Sequence, residues 1–255
     1  MEDPSLELFE NYEKHYAAAG ATRWQVAYEK VKAWRLDRLP RWLGRIPTDA
    51  RILDAGCANG YLLGLFYASG YQRLAGVELS KSLAEAARQA LPEEVAIINA
   101  DIRDFLAKTP DSSFDLILFH HVLEHIPREH TIQLLREFHR VLAPGGRLNI
   151  KVPNASYLLA GNHLFGDFTH VVHFNERSLA QVLEAAGFAR DSIEFIRKPP
   201  LLFWSWRHPL RASFRLLNRV RWHLHQILHI LLCVLIDLHP MPRIFEVELE
   251  ALVQR

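Results

Sequence analysis

The stretch Ile52-Leu53-Asp54-Ala55-Gly56-Cys57-Ala58-Asn59-Gly60 decides the fold of this chain. Its first four residues form a short apolar run that Gly56 closes, and the residues after Gly60 continue as a helix. Glycines allow a backbone to approach a ligand closely, at the carboxyl end of a strand where open α/β sheets bind nucleotides. The stretch therefore predicts a buried strand, a ligand-binding loop and a helix.

Short apolar runs alternate with helical segments through most of the chain. Further runs lie at 74–78, 95–98, 114–119 and 147–152, with a weaker one at 193–196. Strands that alternate with helices of about ten residues form parallel βαβ units. At 245–252 apolar and acidic residues alternate, which is typical of an edge strand with one solvent-exposed face. We therefore predict an α/β protein with a mainly parallel sheet.

Length and composition favour one α/β domain with appended segments. The chain has 255 residues, 49% hydrophobic and 23% charged, so we expect a sizeable core and little disorder. The net charge of +1 gives no reason to expect a nucleic-acid partner. The two cysteines, Cys57 and Cys233, are too few for a disulfide framework, and the acidic start does not resemble a signal peptide. We expect a cytoplasmic protein.

Acidic residues mark the ends of the first three predicted strands. Glu78 lies 22 residues after Gly56, where a carboxylate accepts hydrogen bonds from ribose hydroxyls. Asp101 can reach an adenine amino group while Ile102 packs on the ring. The loop has no G-x-G-x-x-G pyrophosphate cradle, and Asp54 would repel a pyrophosphate but suits the amino group of a methionine-type ligand.

Four motifs in order resemble those of class I S-adenosylmethionine-dependent methyltransferases. They lie at 53–60 in the donor loop, at 76–80 on the acidic second strand, at 114–117 with 122–126 around the fourth strand, and at 142–146 before the fifth. The resemblance covers residues 51–188 and departs at Ala58, where the family usually has glycine. We expect this substitution to make the loop slightly tighter.

The resemblance implies a doubly wound, Rossmann-like sheet of seven strands, mainly parallel, whose last strand is antiparallel. It implies S-adenosyl-L-methionine as methyl donor; a divalent metal is not expected. The residues expected to bind the donor are Asp54, Gly56, Gly60, Glu78, Leu79, Asp101, Ile102 and His120.

Two groups of histidines fall on the acceptor side that the resemblance places above the fourth and fifth strands. His121, Glu124 and His125 stand at i, i+3 and i+4, which predicts one face of a helix. His170 and His173 lie in the long loop that follows the fifth strand. In the first interpretation, these residues only stabilise the helix and its neighbours.

Two catalytic interpretations also remain open. In one, His125, His170 or His173 is a general base that removes the proton of an acceptor hydroxyl. In the other, His121, Glu124, His125 and a loop histidine bind a divalent metal that lowers the hydroxyl pKa. Some small-RNA and quinone O-methyltransferases are similar here, with glutamate in place of His121.

The segment 201–240 interrupts the alternation of strands and helices. Arginines recur every four residues among apolar ones, which predicts a basic amphipathic helix: Arg207, Arg211, Arg215 and Arg219. The apolar part is too short and interrupted to span a bilayer. Contact with the inner face of a membrane and a protein contact, such as a homodimer, both remain open.

These patterns divide the chain into four parts and predict an enzyme. The parts are N-terminal helices or a lid at 1–46, the donor-binding α/β domain at 47–200, the helical insertion at 201–240 and the final strand at 241–255. Residues 166–175 are similar to bacterial methyltransferases of sugar and lipid-linked glycan assembly, including lipopolysaccharide biosynthesis. We predict O-methylation of a hydroxyl on a small or glycan-linked acceptor. The alternatives are a quinone- or lipid-type methyltransferase and a non-catalytic binding module.

Overall fold

The computed structural model describes residues 40–197, 209–238 and 241–255. The strands are β1 (Arg51–Ala55), β2 (Arg73–Glu78), β3 (Ala96–Asn99), β4 (Phe114–His120), β5 (Leu142–Pro153), β6 (Ile193–Phe195) and β7 (Glu248–Gln254). The helices are α1 (Tyr61–Ala68), α2 (Lys81–Ala90), α3 (Ile102–Lys108), α4 (Arg128–Val141), α5 (Ala160–Leu164), α6 (Glu176–Ala185) and α7 (Pro209–Leu235). Most of the predicted lid at 1–46 lies outside the described residues.

The strands form one seven-stranded sheet in the order β3-β2-β1-β4-β5-β7-β6. The pairs among β1 to β5 are parallel, while β7 runs antiparallel to both β5 and β6. The predicted fold class is therefore confirmed. Strand order reverses between β1 and β4, and ligands of open α/β sheets bind at the carboxyl ends of strands at such a switch point. The loop after β1 starts there.

Helices cover both faces of the sheet, because each face is apolar. On one face, Phe138 of α4 and Leu183 of α6 belong to a core cluster with residues of β4 and β5. On the other face, Leu63 and Phe66 of α1 pack with Trp42 and with alternate residues of β1 and β4. Burial on both faces explains why these strands are nearly continuous apolar runs.

The prediction that the last strand lies at an edge is wrong. β7 begins at Glu248 and lies between β5 and β6, and its five central residues are buried. Glu250, which the alternating pattern predicted to lie on a solvent-exposed face, is only 1% exposed. Its Oε1 accepts hydrogen bonds from Trp42 Nε1 at 3.3 Å and from Asn149 Nδ2 at 3.1 Å. These donors compensate for removing the carboxylate from water.

The segment after β4 is not the α-helix that the histidine spacing predicted. It forms a short 3₁₀ helix, Leu123–His125, and α4 starts only at Arg128 after Pro127. Proline fixes its own φ and disfavours a helical conformation of the residue before it, so one continuous helix cannot run through this point. His121 has a positive φ of 55° and therefore lies in a turn, off any helix face.

The predicted helix in the insertion is present as α7, a helix of 27 residues. Within the described ranges, no helix combines the length and the apolar character needed to cross a bilayer.

Candidate active site

The glycine loop after β1 lies tightly against its neighbours. Gly56 and Gly60 have positive φ angles of 82° and 74°, which favour glycine. A Cβ at Gly56 would collide with Val122, and one at Gly60 would come within 2.5 Å of Leu91. The loop therefore keeps its backbone accessible only because these positions lack side chains, and the Val122 contact joins it to the segment after β4.

Glu78 at the end of β2 is tied to this loop. Its Oε2 accepts a hydrogen bond from Ala58 N at 2.8 Å, and its Oε1 accepts one from Ser80 N at 2.8 Å. Ala58 has a φ of 47°, the left-handed conformation that glycine would adopt without strain. The two backbone donors fix the carboxylate beside the loop, in the position that the sequence predicted for a ribose ligand.

Asp54 at the end of β1 is 3% exposed. Burial and, to a smaller extent, the neighbouring Glu78 raise the pKa of its carboxyl to about 7, while Lys151 opposes the shift. An ammonium group at this position would offset the cost of the buried charge. The glycine cradle and this carboxyl together fit the amino-acid end of S-adenosylmethionine.

The other residues predicted to bind the donor differ in their hydrogen bonds and in their exposure. Asp101 caps α3 and is paired with Arg103, whose Nη2 lies 2.6 Å from Asp101 Oδ2. Burial favours a higher pKa for Asp101, but the Arg103 hydrogen bonds outweigh it and lower the pKa. Ile102 is buried in the core, whereas Leu79 is 44% exposed beside Glu78. Of the two apolar side chains, Leu79 is therefore the better placed to cover an adenine ring.

His120 at the end of β4 begins a buried polar chain that the sequence did not reveal. His120 Nε2 lies 2.6 Å from Asn149 Oδ1. The Asn149 amide nitrogen donates to Glu250 Oε1 and to the carbonyl of Ala251, so its oxygen must accept from His120. His120 therefore carries a proton on Nε2.

His121 is held between two carboxylates. Its Nδ1 lies 3.5 Å from Glu124 Oε1, and its Nε2 lies 3.3 Å from Glu248 Oε1. Burial favours a lower pKa for His121, but its ion-pair contacts with the Glu124 and Glu248 carboxylates outweigh it and raise the pKa to about 9. His121 is therefore an imidazolium near neutral pH, and in this form it offers no lone pair to a proton or a metal ion.

Glu124, His125 and His170 lie together beside this pair. Their nearest ligand atoms lie within 4.8 Å of one another, a spacing that can hold a metal ion. Glu124 is 2% exposed, and within the described residues neither of its carboxylate oxygens makes a hydrogen bond. The predicted metal set included His121, but the group that the structure assembles does not.

Hydrogen bonds determine the protonation of His125. The Thr169 hydroxyl donates to Asp167 Oδ1 at 2.6 Å, so its oxygen can only accept from His125 Nδ1, 2.8 Å away. Burial lowers the pKa of His125, and the neighbouring His170 lowers it further. His125 is thus a neutral imidazole with its proton on Nδ1, which makes Nε2 the basic nitrogen.

The loop histidines differ in their surroundings. The His170 ring lies 4.8 Å from that of His125, and its Nε2 is 3.9 Å from Asp167 Oδ2. His173 packs edge-on against Phe165 at 5.1 Å and lies outside the group of three. The structure therefore brings His125 and His170 close together, whereas His173 lies outside this cluster. Asp167 and Thr169 were not predicted as site residues, although both closely precede His170 in the chain.

A family model described as a methyltransferase domain matches residues 25–193. The chain belongs to this family. Among curated relatives, it is 39% identical over 114 residues to the trans-aconitate 2-methyltransferase of Azoarcus sp. (strain BH72), which covers 44% of this chain and 43% of that protein. It is 28% identical over 187 residues to the ubiquinone biosynthesis O-methyltransferase of Xanthomonas axonopodis pv. citri (strain 306), which covers 66% and 73%. The chain spans about half the length of the curated relatives it matches first.

A solved S-adenosylmethionine-dependent methyltransferase from Archaeoglobus fulgidus has the same fold. It superposes with a TM-score of 0.63 at 19% identity, over 94% of this chain and 100% of that one. The family and the relatives identify S-adenosylmethionine as the cofactor.

Proposed function

We propose that this protein transfers the methyl group of S-adenosylmethionine to a hydroxyl of a small-molecule or glycan-linked acceptor. The observation that carries the proposal is the state of His125, a buried neutral imidazole with Nε2 as its basic nitrogen. His125 lies in the segment after β4 that packs on the glycine loop through Val122. This contact supports a site in which the segment that carries His125 adjoins the donor loop.

On the donor side, we propose that few side chains orient S-adenosylmethionine. When bound, S-adenosylmethionine supplies an already activated methyl group, so the site has only to align the reactants and exclude water. Glu78, whose carboxylate is fixed by two backbone donors, would hold the ribose hydroxyls. Asp54 would receive the ammonium group, which would favour its ionised form.

On the acceptor side, the chain moves one proton. A hydroxyl is a poor nucleophile until its proton leaves, and His125 Nε2 accepts that proton. The imidazolium that forms keeps its hydrogen bond to Thr169, whose hydroxyl is fixed by Asp167. Asp167 and Glu124 stabilise the positive charge electrostatically. Asp167 thus orients the imidazole through the Thr169 hydroxyl, whereas in the Ser-His-Asp triad the acid bonds the imidazole directly.

Two alternatives within the same chemistry have specific support. A quinol or lipid hydroxyl is the second acceptor class, because a ubiquinone O-methyltransferase is among the relatives. A divalent cation held by Glu124, His125 and His170 is the alternative to a free base, because their ligand atoms lie within 4.8 Å of one another.

An acceptor screen tests the proposal. Release of S-adenosylhomocysteine is measured with sugars, glycan lipids and quinols, each with and without chelator. We expect release with a hydroxyl acceptor and no effect of chelator. A carboxylate or amine acceptor used in preference to every hydroxyl would contradict O-methylation, and loss of activity in chelator would favour the metal. Failure to bind the donor in calorimetry would indicate a non-catalytic module.

A further inference from the structure

Helix α7 buries polar residues and exposes apolar ones. The residues that face the domain are Gln226, His229 and Cys233. The exposed apolar side chains are Leu217, Val220, Leu224, Ile227, Leu228, Ile230, Leu231, Val234 and Leu235. Leu217, Leu224 and Leu231 recur every seven residues and are each at least 60% exposed, so they form one stripe. A monomer in water would orient such a helix the other way.

Specific polar contacts fix the rotation of α7. His229 Nε2 accepts a hydrogen bond from Leu158 N at 2.7 Å, and its Nδ1 donates to the carbonyl of His225 at 2.9 Å. Gln226 Oε1 accepts from Arg197 Nη2 at 3.0 Å. The His229 ring also packs on Tyr157 and Phe245. Turning the leucine stripe inward would break these contacts, so its exposure is a defined feature of the fold.

The charge of α7 indicates what covers the stripe. The sequence has no aspartate or glutamate from 209 to 236, but it has arginines at 211, 215, 219 and 221. At 100° per residue, Arg219 and Arg221 lie on the two borders of the exposed apolar face. In a two-fold dimer through that face, these arginines would approach their copies without acidic residues from either helix. An anionic lipid surface supplies both the negative charge and the apolar phase.

We propose that α7 lies in the surface of an anionic membrane, with the leucine stripe among the acyl chains and with Arg219 and Arg221 at the phosphates. A helix of this kind lies in the plane of the interface, which agrees with its inability to span a bilayer. The loop that contacts α7 adds exposed apolar side chains at Leu158 and Leu159. The same loop carries His170, so membrane contact would bring the acceptor side near the lipid surface.

Vesicle flotation of the full chain tests this proposal with phosphatidylglycerol and phosphatidylcholine vesicles. We expect binding only to the anionic vesicles and weaker binding in high salt, because salt screens the arginines. The double variant Leu224→Ser, Leu231→Ser should lower the partition coefficient about tenfold or more, since it removes buried apolar surface. The variant Arg219→Gln, Arg221→Gln should lower it by a similar factor on anionic vesicles.

A matched pair of changes elsewhere serves as control. Lys108→Gln with Arg136→Gln removes two exposed charges from α3 and α4, and binding should change less than twofold if the site is α7. The proposal is overturned if the wild-type chain ignores anionic vesicles. It is also overturned if the leucine variant binds like wild type, or if that variant splits a stable dimer that does not bind vesicles. Donor binding in solution does not depend on the outcome.

Discussion

At the scale of single residues, Asp54 makes donor binding depend on pH. Its pKa of about 7 in the ligand-free protein means that the carboxyl must lose a proton to meet an ammonium group. Affinity for S-adenosylhomocysteine should therefore rise as pH increases through 7 and level off above it. Below the pKa, each pH unit should cost up to about tenfold. Calorimetry at several pH values measures this directly.

The variant Asp54→Asn distinguishes the titration of Asp54 from the titration of groups on the ligand. The variant should bind the donor more weakly at high pH and lose the pH dependence that Asp54 causes. The pH dependence of its stability gives a second test of the raised pKa. The folded pKa of Asp54 is about 7 against 3.8, so the wild-type chain loses stability as pH rises across that window. The free energy of unfolding of the variant should fall less over the same pH range. An equal pH dependence of stability in both proteins would show that Asp54 ionises with its ordinary pKa.

Glu78 should contribute to affinity through the ribose. Glu78→Ala removes an acceptor from ribose hydroxyls, which should weaken donor binding by about 1–3 kcal/mol. It also frees the amides of Ala58 and Ser80, so circular dichroism must first show a folded protein. Glu85→Ala, on the exposed surface of α2, is a matched control. Unchanged affinity in a folded Glu78→Ala protein would exclude this role.

At the scale of elements, β7 depends on the buried partners of Glu250. Glu250→Ala leaves Trp42 Nε1 and the Asn149 amide without their acceptor, which should lower the free energy of unfolding by about 2–4 kcal/mol. Glu248→Ala, two positions earlier on the same strand and about half exposed, should cost less than about 1 kcal/mol. Urea unfolding measures the free energy of unfolding of both variants. Equal decreases would mean that the hydrogen bonds of the buried Glu250 do not stabilise the strand.

These elements also show which features the sequence could reveal. The glycine loop was predictable because its strand, glycines and helix are adjacent in the chain. The buried position of Glu250 was not, because its partners are Asn149 and Trp42, 101 and 208 residues away. Alternation reports only that successive side chains point to opposite faces, and it does not report what each face meets. Pro127 was a local signal that the helix face through His121 and His125 could not form.

The acceptor cluster was partly predictable for the same reason. The histidines drew attention as residue types, but their protonation depends on Thr169 and Asp167 from one side and on Glu124 and Glu248 from the other. These contacts separate a cationic His121 from a neutral His125, although the two residues are four positions apart.

At the scale of the whole molecule, the fold joins three surfaces. The carboxyl ends of β1 and β2 form the proposed donor site, and the segment after β4 meets the segment after β5 at the Glu124, His125 and His170 cluster. The segment after β5 also contacts α7 through Tyr157 and Leu158. The proposed donor site, the proposed base and the exposed apolar helix are thereby connected through neighbouring segments of the fold.

The most direct measurement compares methyl transfer and donor binding in His125→Ala and His173→Ala, using an acceptor that the wild-type enzyme methylates. His125→Ala should lower kcat about 10²–10⁴-fold, because the hydroxyl loses its base, while affinity for S-adenosylhomocysteine stays as in wild type. His173→Ala, outside the cluster, should retain most of the activity. Wild-type turnover in the His125→Ala enzyme would contradict the proposed base, and loss of donor affinity in that variant would show that His125 serves the donor site instead.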